Sequence, residues 1–392
     1  MNNAREIYLD YAATTPPDAD VIAIMRQVQE APQVYGNPSS LHMAGRRSQA
    51  VIEKAREAVA ELINAPPKAI VFTSGATEAD NLAVKGAARF RAHRGRHVIT
   101  MATEHKAVLE SVQSLRADGF EVSMLSPEPD GLLDVDRLAA AFREDTTLVS
   151  VMHVNNETGV VQDIQAIGDL CRRHEVLFHC DAAQSAGKLP LDMATLPVDL
   201  LSLTAHKFYG PQGVGALYVA DRPGVGVSAL QHGGSQERRL RAGTEPVALI
   251  GGFGVAARIA KSAQREDLAH VTNLCDRLWG KLGAIPGVRR NGSAVQHYPG
   301  ILNLCASGVE GESLMLALEP LCVASGSACN AQSGDASFVL KALGLSDLEA
   351  QSAIRFSFGR HTTKADVDAA ADIYRHAVEY LRGIGPNGTS SG

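Results

Sequence analysis

Leu200-Leu201-Ser202-Leu203-Thr204-Ala205-His206-Lys207 runs from an apolar stretch into a lysine, and Phe208-Tyr209-Gly210-Pro211 then turns the chain. A short apolar run closed by a Gly-Pro turn reads as a buried strand over 200–203. Lys207 alone would be a solvated surface lysine in most proteins. Its apolar flanks favour a buried amine, whose pKa burial lowers and whose nucleophilicity rises accordingly.

The same grammar repeats upstream. Short apolar runs predict strands at 70–72, 97–100, 120–125, 148–154 and 176–180, with amphipathic stretches between them at 81–91 and 107–115. Strands alternating with helices imply crossover connections and a largely parallel sheet covered on both faces, an α/β fold. Further upstream, Val51, Ile52, Ala55, Val59, Leu62 and Ile63 share one helical face. Beyond about residue 260 the style changes. A polar helix (267–282), a strand (301–304), a Gly/Ser-rich stretch around Ser325, a strand (354–358) and a helix from near Lys364 read as a smaller α+β domain. The expected division is a large domain over 17–260, a small one from 1–16 and 261–384, and a disordered tail over 385–392.

The totals narrow the function classes. A chain of 392 residues is long enough for two compact domains. A formal charge of −6 without a like-charge run gives direct nucleic-acid binding no support. With no basic, apolar leader at Met1 and no apolar run of membrane-spanning length, a cytoplasmic location is expected. Cys171, Cys180, Cys275, Cys305, Cys322 and Cys329 show no C-x-x-C spacing, so neither a disulfide framework nor a metal site is expected.

Open α/β sheets place ligands at the carboxyl ends of their strands. The residues that follow successive predicted strands are Thr73-Ser74-Gly75-Ala76-Thr77, Glu104-His105, Asn155-Asn156-Glu157, Asp181 with Gln184 close behind, and Thr204 to Lys207. Each has an ordinary reading. Asp181 is more often a cap or turn residue, His105 is about as often structural as catalytic, and Ser74 to Thr77 is a common helix start. Together they supply an amine, a carboxylate for a protonated ring nitrogen, a stacking imidazole and a small-residue anion cradle at a helix start. Those are the needs of pyridoxal 5'-phosphate. One decoy is set aside: Gly252-Phe253-Gly254-Val255-Ala256-Ala257 fits a loose dinucleotide pattern. It opens no strand-helix-strand unit, and it reads instead as a helix with a small-residue packing face.

Seven segments make a family recognisable: YGNPSS (35–40), FTSGATEADN (72–81), TEHKAV (103–108), HVNNETGVVQDI (153–164), DAAQSAGK (181–188), TAHKFYGPQGVGALY (204–218) and SGSAC (325–329). From Tyr8 to about Leu381 the chain resembles the cysteine desulfurases of the class V aminotransferase superfamily, fold-type I pyridoxal-phosphate enzymes. The resemblance implies the following roles. Lys207 is similar to the lysine that carries the cofactor, Asp181 to the ring-nitrogen partner, Gln184 to the donor to the ring hydroxyl, and His105 to the stacking acid/base. Ala76, Thr77, Thr204 and His206 look like phosphate ligands, with Ala205 alongside through its backbone. Asn156 is similar to a residue that helps place cofactor and substrate. Thr244 resembles one that reaches the phosphate of a partner subunit, which implies a homodimer. Arg355 matches the arginine that binds the substrate carboxylate. Strand alternation agrees, since Ile354, Phe356 and Phe358 share the face opposite Arg355 and Ser357.

Cys329 decides the reaction that the resemblance implies. Read blindly, a cysteine is more often buried and inert, but the small residues before it favour a mobile, exposed loop. Cys322 is its only near rival. The expected reaction is removal of sulfur from L-cysteine. Lys207 moves the α-proton, Cys329 takes the sulfur as a persulfide, and alanine leaves. SGSAC and the long stretch after it resemble the first group of the family, with the cysteine on a long loop. Residues 385–388 do not resemble the end by which members dock an iron–sulfur scaffold. Iron–sulfur assembly is nonetheless the first expectation for the acceptor, with tRNA thiolation or DNA phosphorothioation open. The alternatives are a selenocysteine lyase or class V transaminase, and a non-catalytic sulfur-transfer scaffold.

Overall fold

The computed structural model describes residues 6–31, 34–325 and 336–384. Strand β1 (Ile7–Tyr8) leads to helices α1 (Ala19–Glu30) and α2 (Met43–Leu62). The alternating region follows: β2 (Ile70–Thr73), α3 (Ala76–Arg91), β3 (His97–Met101), α4 (Lys106–Ser114), β4 (Glu121–Leu125), α5 (Val135–Ala141), β5 (Thr146–Ser150), α6 (Ile164–Arg173), β6 (Leu177–Asp181), β7 (Leu200–Thr204) and β8 (Gly215–Val219). Helix α7 (Val247–Leu282) then leads to β9 (Val288–Arg290), β10 (Ile301–Ala306), α8 (Gly311–Ala317), β11 (Leu321–Cys322) and β12 (Ala324–Ser325). The chain closes with α9 (Phe338–Ala342), α10 (Asp347–Gln351), β13 (Ile354–Ser357) and α11 (Lys364–Ile384).

Seven strands form the larger sheet in the order β2-β8-β7-β6-β5-β3-β4. Neighbours from β7 to β4 are parallel, while β8 runs antiparallel to both β2 and β7. Strand β2 is therefore parallel to the others, and the carboxyl ends of β2, β3, β5, β6 and β7 share one sheet edge. Both faces are covered, as a mostly parallel sheet requires. On one face α3 buries Leu82, Ala83 and Ala87 with Val98, Leu148 and Leu217. On the other, Ile52 and Val59 of α2 and Phe253 of α7 pack with Ile99, Phe178 and Leu203. A second core lies around the four-stranded sheet β12-β13-β10-β9 and the pair β1-β11, and includes Leu9, Leu302, Phe356 and Tyr374.

Several boundaries differ from the expectation. The helix predicted over 81–91 begins at Ala76, because Gly75 (φ 156°, ψ −179°) turns the chain straight from β2 into it. Thr77 and Glu78, which lie before the predicted helix, are in its first turn. The strand predicted over 148–154 ends at Ser150, and Val154 instead bridges Val161 across the 155–159 turn. Strand β8 has no counterpart among the predicted strands. The polar helix predicted over 267–282 is the second half of α7, a single helix of 36 residues. The border expected at 260/261 falls inside that helix. Its first half packs Ile250, Phe253 and Ala257 into the larger core, and its second half packs Leu274 and Leu278 into the smaller. The Gly252 to Ala257 stretch is the small-residue packing face. A Cβ on Gly254 would lie 2.5 Å from Ala55 Cα of α2, so only glycine admits this approach. Among the described residues, no helix is long and apolar enough to cross a membrane.

Candidate active site

A cleft of about 630 Å³ opens where the carboxyl ends of the strands meet the smaller core. Ala76, Thr77, His105, Asn156, Asp181, Gln184, Thr204, His206, Lys207 and Arg355 all line it. The sheet edge explains the gathering. Gly75 follows β2, Asp181 and Thr204 end β6 and β7, and a single 3₁₀ turn (Ala205–Lys207) carries the lysine over the edge.

The turn from β2 into α3 is built for an anion. Gly75 caps α3 without a side-chain bond, so the positive end of a 16-residue helix meets the cleft. A Cβ on Gly75 would meet nothing within 4 Å, so even a methyl group would occupy open space there. Gly215 of β8 seals the turn from behind, where a Cβ would lie 2.7 Å from Gly75 Cα and 2.5 Å from Leu203 O. Ser74 N–H is engaged by Glu78 Oε2 (2.7 Å), and Glu78 is itself paired with Arg241 (2.9 Å).

Around the cleft each group has a defined state. Lys207 Nζ donates to the Ala12 carbonyl. Gln184 Nε2 donates to the same oxygen (2.7 Å), and its Oε1 accepts from Lys188 Nζ (2.9 Å). His105 caps α4, its Nδ1 accepting from Ala107 N–H (3.1 Å). A ring nitrogen that accepts carries no proton, so the neutral ring keeps its N–H at Nε2. Burial, with Lys207 nearby, lowers the His105 pKa against the pull of Asp181. Asp181 is 5% exposed, and burial raises its pKa against the Ala183 N–H, His105 and Lys207. His206 is pushed down to about 4 by burial and then by Lys207, so it stands neutral beside Thr14 Oγ1 (3.1 Å).

Arg355 is held on two sides. Its Nη1 donates to Asn156 O (2.8 Å) and its Nη2 to Asp10 Oδ1 (2.7 Å). Its Nε is buried without a hydrogen-bond partner among the described residues. A planar fork fixed in this way suits a carboxylate.

The cleft also holds residues that sequence reasoning passed over. Asp10, Ala12 and Thr14 come from the stretch that follows β1. Behind Asp181, His179 Nε2 lies 2.9 Å from Ser202 Oγ and 3.6 Å from Asp80 Oδ1, all fully buried. Burial and the charge of Asp181 raise the Asp80 carboxyl well above its usual range. These groups sit mid-helix or mid-strand and gave no local signal. Lys188 was within reach, since it closes the quoted DAAQSAGK segment.

Two expected residues lie elsewhere. Ala205 is fully buried outside the cleft and its N–H donates to Val214 O (3.2 Å), because the 3₁₀ turn folds that amide back onto β8's approach. That N–H is therefore engaged within the fold. Thr244 is exposed, between the loop after β8 and α7, and does not line the cleft of its own chain. Cys329 lies outside the described residues, as does the tail expected over 385–392. Cys171, Cys180, Cys275 and Cys305 are buried. Cys322 is partly buried in β11, where burial, Glu6 and Asp10 raise its thiol pKa, the opposite of what a reactive thiolate needs.

An amine, a buried carboxylate, an imidazole and a helix N-terminus within one cleft fit pyridoxal 5'-phosphate, and the forked Arg355 fits an amino-acid carboxylate beside it. Comparison with known proteins agrees. The family described as Aminotransferase class-V matches residues 7–370. The chain is 51% identical over 381 residues to a protein named cysteine desulfurase IscS from Colwellia psychrerythraea, covering 97% of this chain and 94% of that one. A solved NifS-like protein superposes with a TM-score of 0.88 at 34% identity, covering 96% of this chain and all of that one. A structure of SspA in complex with cysteine superposes with a TM-score of 0.80 at 37% identity, covering 92% and 100%.

Proposed function

Because the chain belongs to the cysteine desulfurases of the aminotransferase class-V family, we propose that the cleft holds L-cysteine against pyridoxal 5'-phosphate and that Cys329 removes its sulfur. The observation that carries the site assignment is the meeting of Lys207, Asp181, His105, the α3 N-terminus and Arg355 in one cleft. When bound, the cofactor supplies an electrophilic carbon for an amine and a ring that accepts the charge developing at the substrate's α-carbon.

The chain's own groups do the rest. Lys207 would hold the cofactor, and its Nζ would take the substrate's α-proton. Asp181 pairs with the ring nitrogen and keeps it protonated. His105 would face the cofactor's ring and offer its Nε2 proton. Gln184 donates to the ring oxygen. The α3 N-terminus with Ala76, Thr77, Thr204 and His206 would hold the cofactor's phosphate. Arg355 grips the substrate carboxylate and Asn156 aligns it. Cys329 Sγ, as thiolate, attacks the substrate sulfur. The S–S bond forms as the C–S bond breaks, the electron pair stays with carbon, and the carbon skeleton leaves protonated as alanine. An ordinary thiol of pKa ~8.5 is mostly protonated at neutral pH, so its proton must leave during the attack.

The flanks of residues 326–335 support this role. Ala324 is the register partner of Arg355, and Ser337 donates to Glu157 beside Asn156. Thr244, exposed on its own chain, is assigned to the phosphate of a partner subunit, which makes the enzyme a homodimer. The persulfide passes to an acceptor protein in the cytoplasm, first an iron–sulfur scaffold, with tRNA or DNA thiolation as the other destinations.

Cys329→Ala tests the reading. It is expected to keep the cofactor absorbance band and the band's response to L-cysteine, while alanine release and the protein persulfide both vanish. Normal turnover by this variant would overturn the assignment.

A further inference from the structure

The carboxamide of Gln184 is held from both ends. Its Oε1 accepts from Lys188 Nζ at 2.9 Å, and its Nε2 donates to the Ala12 carbonyl at 2.7 Å. An ammonium only donates and a carbonyl only accepts, so a reversed amide would set donor against donor and oxygen against oxygen. Lys188 and Ala12 together fix which way round Gln184 stands. The second amide hydrogen of Nε2 remains for the cleft. The Ala12 oxygen also accepts from Lys207 Nζ, so one backbone atom joins the cofactor lysine to the amide that Lys188 orients.

Lys188 stands beside an aromatic ring and among other charged groups. It is partly buried, with Nζ 5.6 Å from the centroid of the Tyr298 ring, and it lines a cavity of about 30 Å³ together with Lys207, Asp267 and Arg360. Burial first, then the charges of Lys207 and Arg355, bring its pKa down to about 7. Its own charge in turn helps to keep His206 neutral. A lysine kept at such a cost to its charge calls for a task.

We propose that Lys188 is a positioning residue for the reaction, acting through Gln184, whose carboxamide it holds with the N–H turned to the ring oxygen of the cofactor on Lys207. The inference rests on the assignment of Lys207 and Gln184 proposed above. A hydrogen bond donated to that oxygen stabilises negative charge on it. The cofactor-bearing nitrogen of Lys207 then sheds its proton at lower pH than it otherwise would. Without Lys188 the amide is free to turn its oxygen inward, which has the opposite effect.

The cofactor's absorbance band, titrated with pH, reads this directly. Lys188→Met is expected to raise the titration midpoint by about one pH unit, and Lys188→Arg to return it close to the wild-type value. In a Gln184→Ala background, Lys188→Met is expected to move the midpoint by less than half as much. Lys188→Gln, which removes the charge but keeps the site polar, serves if the methionine variant does not fold, with a shift of the same sign. An unchanged midpoint, or an undiminished shift in the Gln184→Ala background, overturns the inference. A wild-type protein without a cofactor band that Lys207→Ala abolishes would instead overturn the underlying reading of the site.

Discussion

Glu157 occupies a place where charge is costly. Its carboxylate accepts from Ser337 Oγ, the cap of α9, and its neighbour Asn156 accepts from Arg355. Burial pushes the Glu157 carboxyl up to about 7, against the pull of Ser337 and Arg355. In the unfolded chain it would titrate near the ordinary glutamate value of about 4.3. The folded state therefore binds more protons between those two values, and stability falls as pH rises through that window. The Tm of the wild type minus that of Glu157→Gln is expected to decline from about pH 4.5 to about pH 7 and to level off above. A difference that rises with pH in differential scanning calorimetry would contradict the assignment. At this scale the sequence was most legible where a residue followed a strand, as Asp181 and Lys207 do. It was least legible where a partner comes from far away. Nothing near Arg355 announces Asp10, 345 residues earlier, and nothing near Gln184 announces the Ala12 carbonyl.

Helix α7 shows what an element can hide. Gly254 and Gly280 lie on the same helix with opposite surroundings. A Cβ on Gly254 would meet the Ala55 backbone of α2 at 2.5 Å, whereas one on Gly280 would meet nothing within 4 Å. Gly254→Val is expected to destabilise the fold by roughly 1–3 kcal/mol, since backbone cannot yield as a side chain can. Gly280→Ala is expected to stabilise it by roughly 0.5–1 kcal/mol through helix propensity alone. Thermal melts of the two variants should move in opposite directions, and a shared direction would contradict this packing. The alternation of strands and helices was readable because each strand is a short apolar run. Strand β8 escaped because Gly213 and Gly215 make it look like loop, although Gly215 is there to let β8 approach the Gly75 turn. The join within α7 escaped because its two halves have different compositions, each set by a different core.

The whole molecule closes on its own beginning. Residues 7–15 run between the two cores. Ile7 and Tyr8 pair with Leu321 and Cys322, Asp10 bridges Ser357, and Thr15 N–H reaches the His206 carbonyl at 2.9 Å. Asp10, Ala12 and Thr14 line the cleft together with Arg355, so the cleft is finished only when both stretches are in place. Ribosome-bound chains stalled at successive lengths should release no alanine from cysteine until Arg355 and the rest of β13 have left the exit tunnel. Activity from chains with fewer than 350 residues outside it would contradict this.

An order of assembly follows from that segment. Residues 7–10 are synthesised long before the partners they pair with, Leu321, Cys322 and Ser357. The larger sheet, complete by Val219, can form before most of those partners exist. During that interval the lysine and its carboxylate can stand at the sheet edge without the guanidinium or the backbone carbonyl that complete the cleft. A half-made chain is thereby kept from handling a reactive sulfur atom that it could not yet hold.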